Sequence, residues 1–518
     1  MNNVWGFDYG LRNYKYSPYK ISIPPISNTG LNFNVDFSKG FEVGCFNSTE
    51  TKKQPKVFNI STFNSYEKQC CKKAFRYCQR CFTKNPNDEE LMFYLGYCYQ
   101  QGIGTPVNKK RAFECYKKAN ELDKTDACYW NKLGYCYEHG IGTPVNEKRA
   151  FECYKKANEL DKTVARYWNN LGFCYQTGIG TPINEKRAFE CYKKANELDK
   201  TVADYWAKLG YCYLKGIGTP VNEKRAFECF NKAIELDKTK ACYWGILGYC
   251  YLKGIGTEVN EKRAFECYKK ANELDKTDAD YWGNLGYCYQ HGIGTGVNKK
   301  RAFECYKKAN ELDKTDAVYW NNLGYCYEHG IGIEVNKKRA FECYKKANEL
   351  DKTDACYWNN LGYCYQHGIG TEVNEKRAFE CYKKANELDK TVACYWGNFG
   401  YCYLKGIGTG VNEKRAFECY KKANELDKTD AYYWNELGYC YQHGIGTGVN
   451  KKRAFECYKK ANELDKTKAC YWGNFGYCYL KGIGTEIDKD KAKELFQKAL
   501  ELEPDDKALE ELLVECDE

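Results

Sequence analysis

The sequence predicts an all-α solenoid of stacked antiparallel helical hairpins, and three observations point to it. The string Arg-Ala-Phe-Glu-Cys begins ten times, from Arg111 to Arg453, always 38 residues apart. Within each period, apolar and aromatic residues recur at intervals of three and four, the spacing of an amphipathic helix. The composition is that of one unit copied many times, with 45 glycines, 48 tyrosines and 32 cysteines but two methionines in 518 residues.

The stretch from Ala127 to Val164 serves as the example. Ala127, Trp130, Leu133, Gly134 and Tyr137 form one helical stripe, which Gly140 stops. The turn Gly140-Ile141-Gly142-Thr143-Pro144 cannot continue a helix cheaply, and Asn146 is placed to cap the next one. In that second helix Ala150, Cys153, Tyr154, Ala157 and Leu160 form the stripe, with Lys155, Lys156 and Glu159 on the far side. Gly134, Ala150 and Ala157 let backbones approach, and the rings of Trp130, Tyr137 and Tyr154 are expected to fill the space between neighbours. One hairpin cannot bury both of its faces, so the units must stack.

The register gives a flexible tail over 1–65, a capping helix over 66–86, eleven repeats over 87–503 and a capping helix over 504–518. In the last of these, Leu509, Leu512 and Leu513 point inward. The formal charge of +10 sits mostly at the start: residues 1–64 carry +3, residues 65–86 carry +5, and +2 is left for the rest. A near-neutral array attracts phosphate weakly, so nucleic acid is not an expected partner. No run approaches the roughly 18 apolar residues that cross a bilayer, which excludes membrane insertion. No signal peptide is visible, and the expected compartment is the cytoplasm or nucleus, not the secretory route.

Trp130-x2-Leu133-Gly134-x2-Tyr137, followed by Ala150, Tyr154 and Ala157, resembles the tetratricopeptide (TPR) pattern. The period of 38 residues exceeds the TPR's 34 by four. The extra residues fall in the turn, where Gly140-Ile141-Gly142-Thr143, Asn146 and Lys148-Arg149-Ala150 are similar to the Sel-one-like repeat (SLR). Two family traits are not matched. Cysteine-rich bacterial members clip each hairpin with a disulfide, but Asn158 stands at one of the two positions. The TPR carboxylate clamp is only partly matched, because Asn131 replaces lysine and Tyr135 replaces asparagine.

Chemistry is not expected. Some relatives are reported as β-lactamases, yet Ser65 is the last serine in the chain, so the array holds no serine nucleophile. Cysteines such as Cys153 lie on apolar stripes, where a thiol behaves as a small hydrophobe. Cys70, Cys71, Cys78 and Cys81 include a C-x2-C pair, but on a continuous helix the zinc signal is weak. The alternatives carried forward are a hydrolytic or thiol-based enzyme and a zinc-binding protein. No cofactor or metal is expected.

Copies differ mostly at five positions of the first helix: two before Trp, one and two after it, and the last two before the turn glycine. The resemblance places these on a concave groove, with a ring such as Tyr135 adjoining them. The expected groove residues are Asn131, Tyr135, Glu138, His139 and Asn169; Tyr211, Lys215, Tyr249, Lys253, Tyr287 and His291; Asn321, Tyr325, His329, Asn359, Tyr363 and His367; and Tyr401, Lys405, Asn435, Tyr439, His443, Tyr477 and Lys481. Rings with amides between them suit an extended peptide, so the expected function is a scaffold or adaptor for other proteins. All the serines lie in the first 65 residues, where phosphate would change the charge of the basic region.

Overall fold

The computed structural model describes residues 65–517; the expected flexible tail lies, apart from Ser65, outside the described residues. All regular structure among them is helical. A helix Ser65–Lys84 precedes eleven hairpins, and a helix Lys507–Asp517 follows them. In the example hairpin the first helix (A) is Ala127–His139 and the second (B) is Glu147–Leu160. Two compact units divide between Asp275 and Lys276. The first holds the N-terminal helix and five hairpins, and the second holds six hairpins and the C-terminal helix. Within each unit, every A helix packs chiefly on its own B helix, and each B helix packs on the next A helix.

Local chemistry sets the helix ends. Asn146 Oδ1 accepts from the Arg149 amide at 3.0 Å, which satisfies one of the open donors at the start of helix B. Gly140 ends helix A in the left-handed region at φ 61°. Gly142, at φ 70°, has a second constraint: a Cβ there would lie 2.1 Å from the Lys109 carbonyl oxygen of the preceding hairpin. The turn is therefore also a contact between hairpins. After helix B, Asp161 Oδ1 accepts from the Thr163 amide at 2.8 Å and from its hydroxyl at 2.6 Å, closing a tight turn.

The stripes predict the core, with two of the three large rings half-buried at its edge. Tyr154 is 1% exposed and Ala150 and Ala157 are fully buried, as the pattern requires. Trp130 packs between hairpins as expected and is half-buried; its indole N–H donates to the Lys124 carbonyl at 2.9 Å. An indole needs an acceptor when it leaves water, and at the rim of the hairpin it finds one in the preceding loop. The same bond recurs in ten A helices, ending with Trp472 and Lys466. The deep ring is the preceding Tyr129, at 5% exposure, and Cys136 is fully buried beside it in sequence register. Tyr137 is also half-buried, with the Arg149 guanidinium 5.6 Å over its ring and Nη1 3.3 Å from its hydroxyl.

Candidate peptide-binding face

Helix A carries every residue expected on the groove, and its polar side chains are mostly engaged with neighbouring hairpins. Asn131 is 1% exposed, and its Oδ1 accepts from Asn170 Nδ2 at 2.9 Å. The pattern repeats with a separation of 39 residues. Lys208 Nζ donates to Asn169 at 3.0 Å, Asn360 to Asn321 at 2.7 Å, Asn398 to Asn359 at 2.6 Å and Asn474 to Asn435 at 2.8 Å. The residue after Trp thus accepts from the second residue after Trp in the next hairpin. Asn131, Asn169, Asn321, Asn359 and Asn435, all expected on the groove, therefore have their side-chain carbonyl oxygens bonded across the stack. Adjacent A helices approach closely enough for these side chains to meet, and a buried amide is stabilised by a protein partner. Where the ladder lacks amides, its counterparts are Ala207 and Ile246, both fully buried.

Glu138 is likewise turned inward. It accepts a short hydrogen bond from the Tyr154 hydroxyl of its own hairpin. Tyr192 donates in the same way to Gln176 at 2.6 Å, Tyr344 to Glu328 at 2.7 Å and Tyr458 to Gln442 at 2.9 Å. In two of the four hairpins where leucine takes this place, at Leu214 and Leu480, the opposing ring is Phe230 or Phe496, with no hydroxyl to satisfy. There the two positions change together, because a buried hydroxyl without an acceptor is costly. Two residues before Trp, Asp280 accepts from the Tyr319 hydroxyl of the next hairpin, and burial raises its carboxyl to about 6.

The rings and the last residues of helix A keep solvent exposure. Tyr135, Tyr211, Tyr249, Tyr287, Tyr325, Tyr401, Tyr439 and Tyr477 are all half-buried, whereas Tyr363, at 7%, and Tyr97 of the first hairpin, at 8%, are buried outright. Each histidine stacks on the tyrosine one turn earlier. Ring centroids are 4.2 Å apart for Tyr135 and His139, 4.6 Å for Tyr287 and His291, and 4.2 Å for Tyr325 and His329. Tyr363 and His367 lie at 4.3 Å, and Tyr439 and His443 at 4.5 Å. Burial lowers the His291 and His443 pKa values, which favours their neutral form. Lys215, Lys253 and Lys405 are exposed at the same place, whereas Lys481 pairs with Glu515 of the C-terminal helix.

Two buried lysines were not expected. Lys132 Nζ lies 5.0 Å from the Tyr116 ring centre and 5.4 Å from that of Tyr135, and burial pushes its pKa down to about 8. Lys208 Nζ lies 3.3 Å from Asp204. The signal was available, since both occupy a position that other copies fill with asparagine or isoleucine.

Burial raises Cys136 and Cys153 to about 12 and Cys115 to about 11, the opposite of what a nucleophile needs. Asn158, at the position of the family's disulfide clip, is 5% exposed. Among the described residues no three His, Cys, Asp or Glu side chains are grouped to hold a metal ion, and no helix is long and apolar enough to cross a membrane. The side chains of Cys70 and Cys71 lie outside the described residues.

Paired helices, a glycine turn that contacts the preceding hairpin and capped helix ends define a helical-hairpin repeat protein. The model of the Sel1 repeat matches eleven segments, from 90–124 through 131–162 and onward to 435–466 and 469–503. The chain belongs to the Sel1 repeat family, whose members commonly serve as protein-interaction scaffolds. Among solved structures it is similar to a protective antigen of uropathogenic Escherichia coli strains that displays an SLR fold. That match has 24% identity and a TM-score of 0.63, covering 86% of this chain and 90% of the other. A Sel1 repeat protein from Oxalobacter formigenes matches at 19% identity and a TM-score of 0.42, covering 65% and 94%. No curated protein sequence matches.

Proposed function

We propose that this chain is a non-catalytic scaffold that binds extended peptide segments of its partners along the A-helix face, in the cytoplasm or nucleus. The helices Ser65–Lys84 and Lys507–Asp517 act as caps of the array. The observation that carries the reading is the series of half-buried tyrosines at one position of successive A helices, each followed one turn later by an exposed or half-exposed polar residue. A ring fixed on one side and open on the other offers contact area at low entropy cost, which suits peptide recognition. The amides of the ladder hold the hairpins together, and specificity falls to the rings, to Lys215, Lys253 and Lys405, and to the histidines. The raised thiols support the non-catalytic part of the reading.

The test is a peptide array probed with the full chain and with a variant carrying Tyr135→Ala, Tyr211→Ala and Tyr249→Ala. Retained peptides should lose at least about tenfold in affinity, the loss of one or more ring contacts, while helicity is kept. Unchanged binding by the folded variant removes the A-helix face as the binding surface.

A further inference from the structure

Exposed apolar side chains are not scattered over this protein. Of the 22 large hydrophobic residues exposed among the described residues, 19 fall in two rows. One row is the valine or isoleucine of each turn, as at Val335 and Val373, which are 57% and 60% exposed. The other is the leucine that ends helix B, as at Leu312 and Leu350, each 37% exposed. Because helix B starts at the turn and runs 14 residues, the rows lie about 21 Å apart on opposite edges of each hairpin. Both rows advance by one residue per hairpin, so within a unit they share one spacing.

The edges also differ in charge. Val335 is preceded by Glu334 and followed by Lys337, Lys338 and Arg339, all exposed, at the start of helix B; Lys-Lys-Arg recurs after Val107, Val297 and Val449, and six other hairpins carry Glu-Lys-Arg, so a Lys-Arg pair is what nearly every turn edge shares. Leu312 is flanked by Glu311, Asp313 and Asp316, with Lys314 as the one cation between them. Part of each edge is already engaged: Glu311 lies 3.7 Å from Lys308, and Asp313 and Asp316 accept from Thr315 and from the Val318 amide.

We propose that the turn edge of one copy docks on the loop edge of a second copy, setting valines against leucines and the Lys-Arg pairs, reinforced by a second lysine at Lys299, Lys337 and Lys451, against the Glu-Leu-Asp segments. The shared spacing makes the contact multivalent, so several weak hairpin contacts act together. The two surfaces are different patches, so the contact is heterologous and each docked copy leaves a free edge for another. This inference is independent of the peptide-binding reading, which uses helix A.

Sedimentation velocity of the full chain tests it, with reductant present to exclude disulfide-linked species. The runs span about 1 µM to about 300 µM at roughly 0.1 M and 1 M salt, where the screening length falls from about 10 Å to about 3 Å. At low salt the average sedimentation coefficient should rise with concentration, and at high salt it should return to the monomer value. A turn-edge variant, Lys300→Glu with Lys338→Glu and Lys452→Glu, should shift half-association to at least about tenfold higher concentration. A control with the same charge change on the outward face of helix B, Lys307→Glu with Lys345→Glu and Lys459→Glu, should not. A protein that stays monomeric throughout, that associates without regard to salt, or whose two variants behave alike overturns the proposal. Should either variant lose helicity, the concentration and salt series of the native chain decides alone.

Discussion

The unit of residues 65–275 and the unit of residues 276–517 are built from the same hairpin, yet they differ in two places. Turns of the first carry Pro106, Pro144, Pro182 and Pro220 before the valine or isoleucine, with Glu258 in the last of them, whereas turns of the second carry Gly296, Glu334, Glu372, Gly410, Gly448 and Glu486. In the first unit the ionisable residues of the A-helix ladder are the buried Lys132 and Lys208; in the second it is the half-buried Glu436. What does not differ is equally informative. The Asn cap, the Asp-Lys-Thr turn, the positive-φ glycines and the Arg-over-Tyr contact recur in both. Positions that satisfy a backbone group or sit against a neighbouring backbone are held, while positions that meet solvent or one adjustable side chain are free to change.

The largest expected effect probes what the units share. Gly142→Ala in the first unit, and Gly370→Ala in the second, each put a Cβ 2.1 Å from a carbonyl oxygen of the preceding hairpin at a positive φ. Each should destabilise its unit by about 3 kcal/mol or more, read from the denaturation midpoint. A much smaller loss in one unit would mean that its turn is not docked as the other's is.

Next is the ladder. Ile246→Asn places an amide where the partner position is Ala207, and should cost about 1–3 kcal/mol. Adding Ala207→Asn should recover part of that loss, giving a favourable coupling in a double-mutant cycle. Zero coupling would show that the 39-residue pairing is not what stabilises neighbouring A helices.

The buried charges should give the units opposite responses to pH. Burial raises Glu436 from 4.5 to about 7, so the folded state holds its proton more tightly than the unfolded chain. Its contribution is fully present below pH 4.5 and is lost as pH rises through about 7, on the order of 3 kcal/mol. Lys132 has a folded pKa of about 8 against 10.5, so the folded state releases its proton first and stability rises between those values. Glu436→Gln should flatten the first slope, and Lys132→Met the second, in urea titrations at stepped pH. A slope that survives either change belongs to another group.

The smallest effect concerns the turns. Gly296, Gly410 and Gly448 have no atom within 4 Å of a built Cβ and no positive φ, and proline stands at the same place in most turns of the first unit. Replacing each by proline should stabilise the second unit by about 0.4–1 kcal/mol through the unfolded chain. Destabilisation on thermal melting would show that these turns differ in backbone, not only in sequence.

Much of this molecule is legible in its residues alone. A period of 38 with intervals of three and four places every hairpin, and Gly140 and Asn146 mark a turn because few other residues end and start helices so cheaply. The candidate site is legible in part. The variable positions do lie on helix A, but Asn131 and Glu138 could not be separated from Tyr135 by inspection, since all three read as polar or amphipathic residues on one face. Two clues are present in the sequence: Ala207 with Ile246, and Leu214 with Phe230, change together at fixed separations. They become interpretable only when the partner's location is known. Trp130 fills the space between hairpins as its stripe predicts, but that its N–H reaches the Lys124 carbonyl is set by the loop the tertiary fold brings to it.

By itself, then, the sequence determined the repeat, the hairpin and the helix ends, all of which depend on interactions within a few residues and on a regular period. Only the tertiary structure decided which side chains of helix A are bonded to the next hairpin and which remain open, because that depends on the approach of residues 39 apart and on the competition of each buried polar atom for a partner.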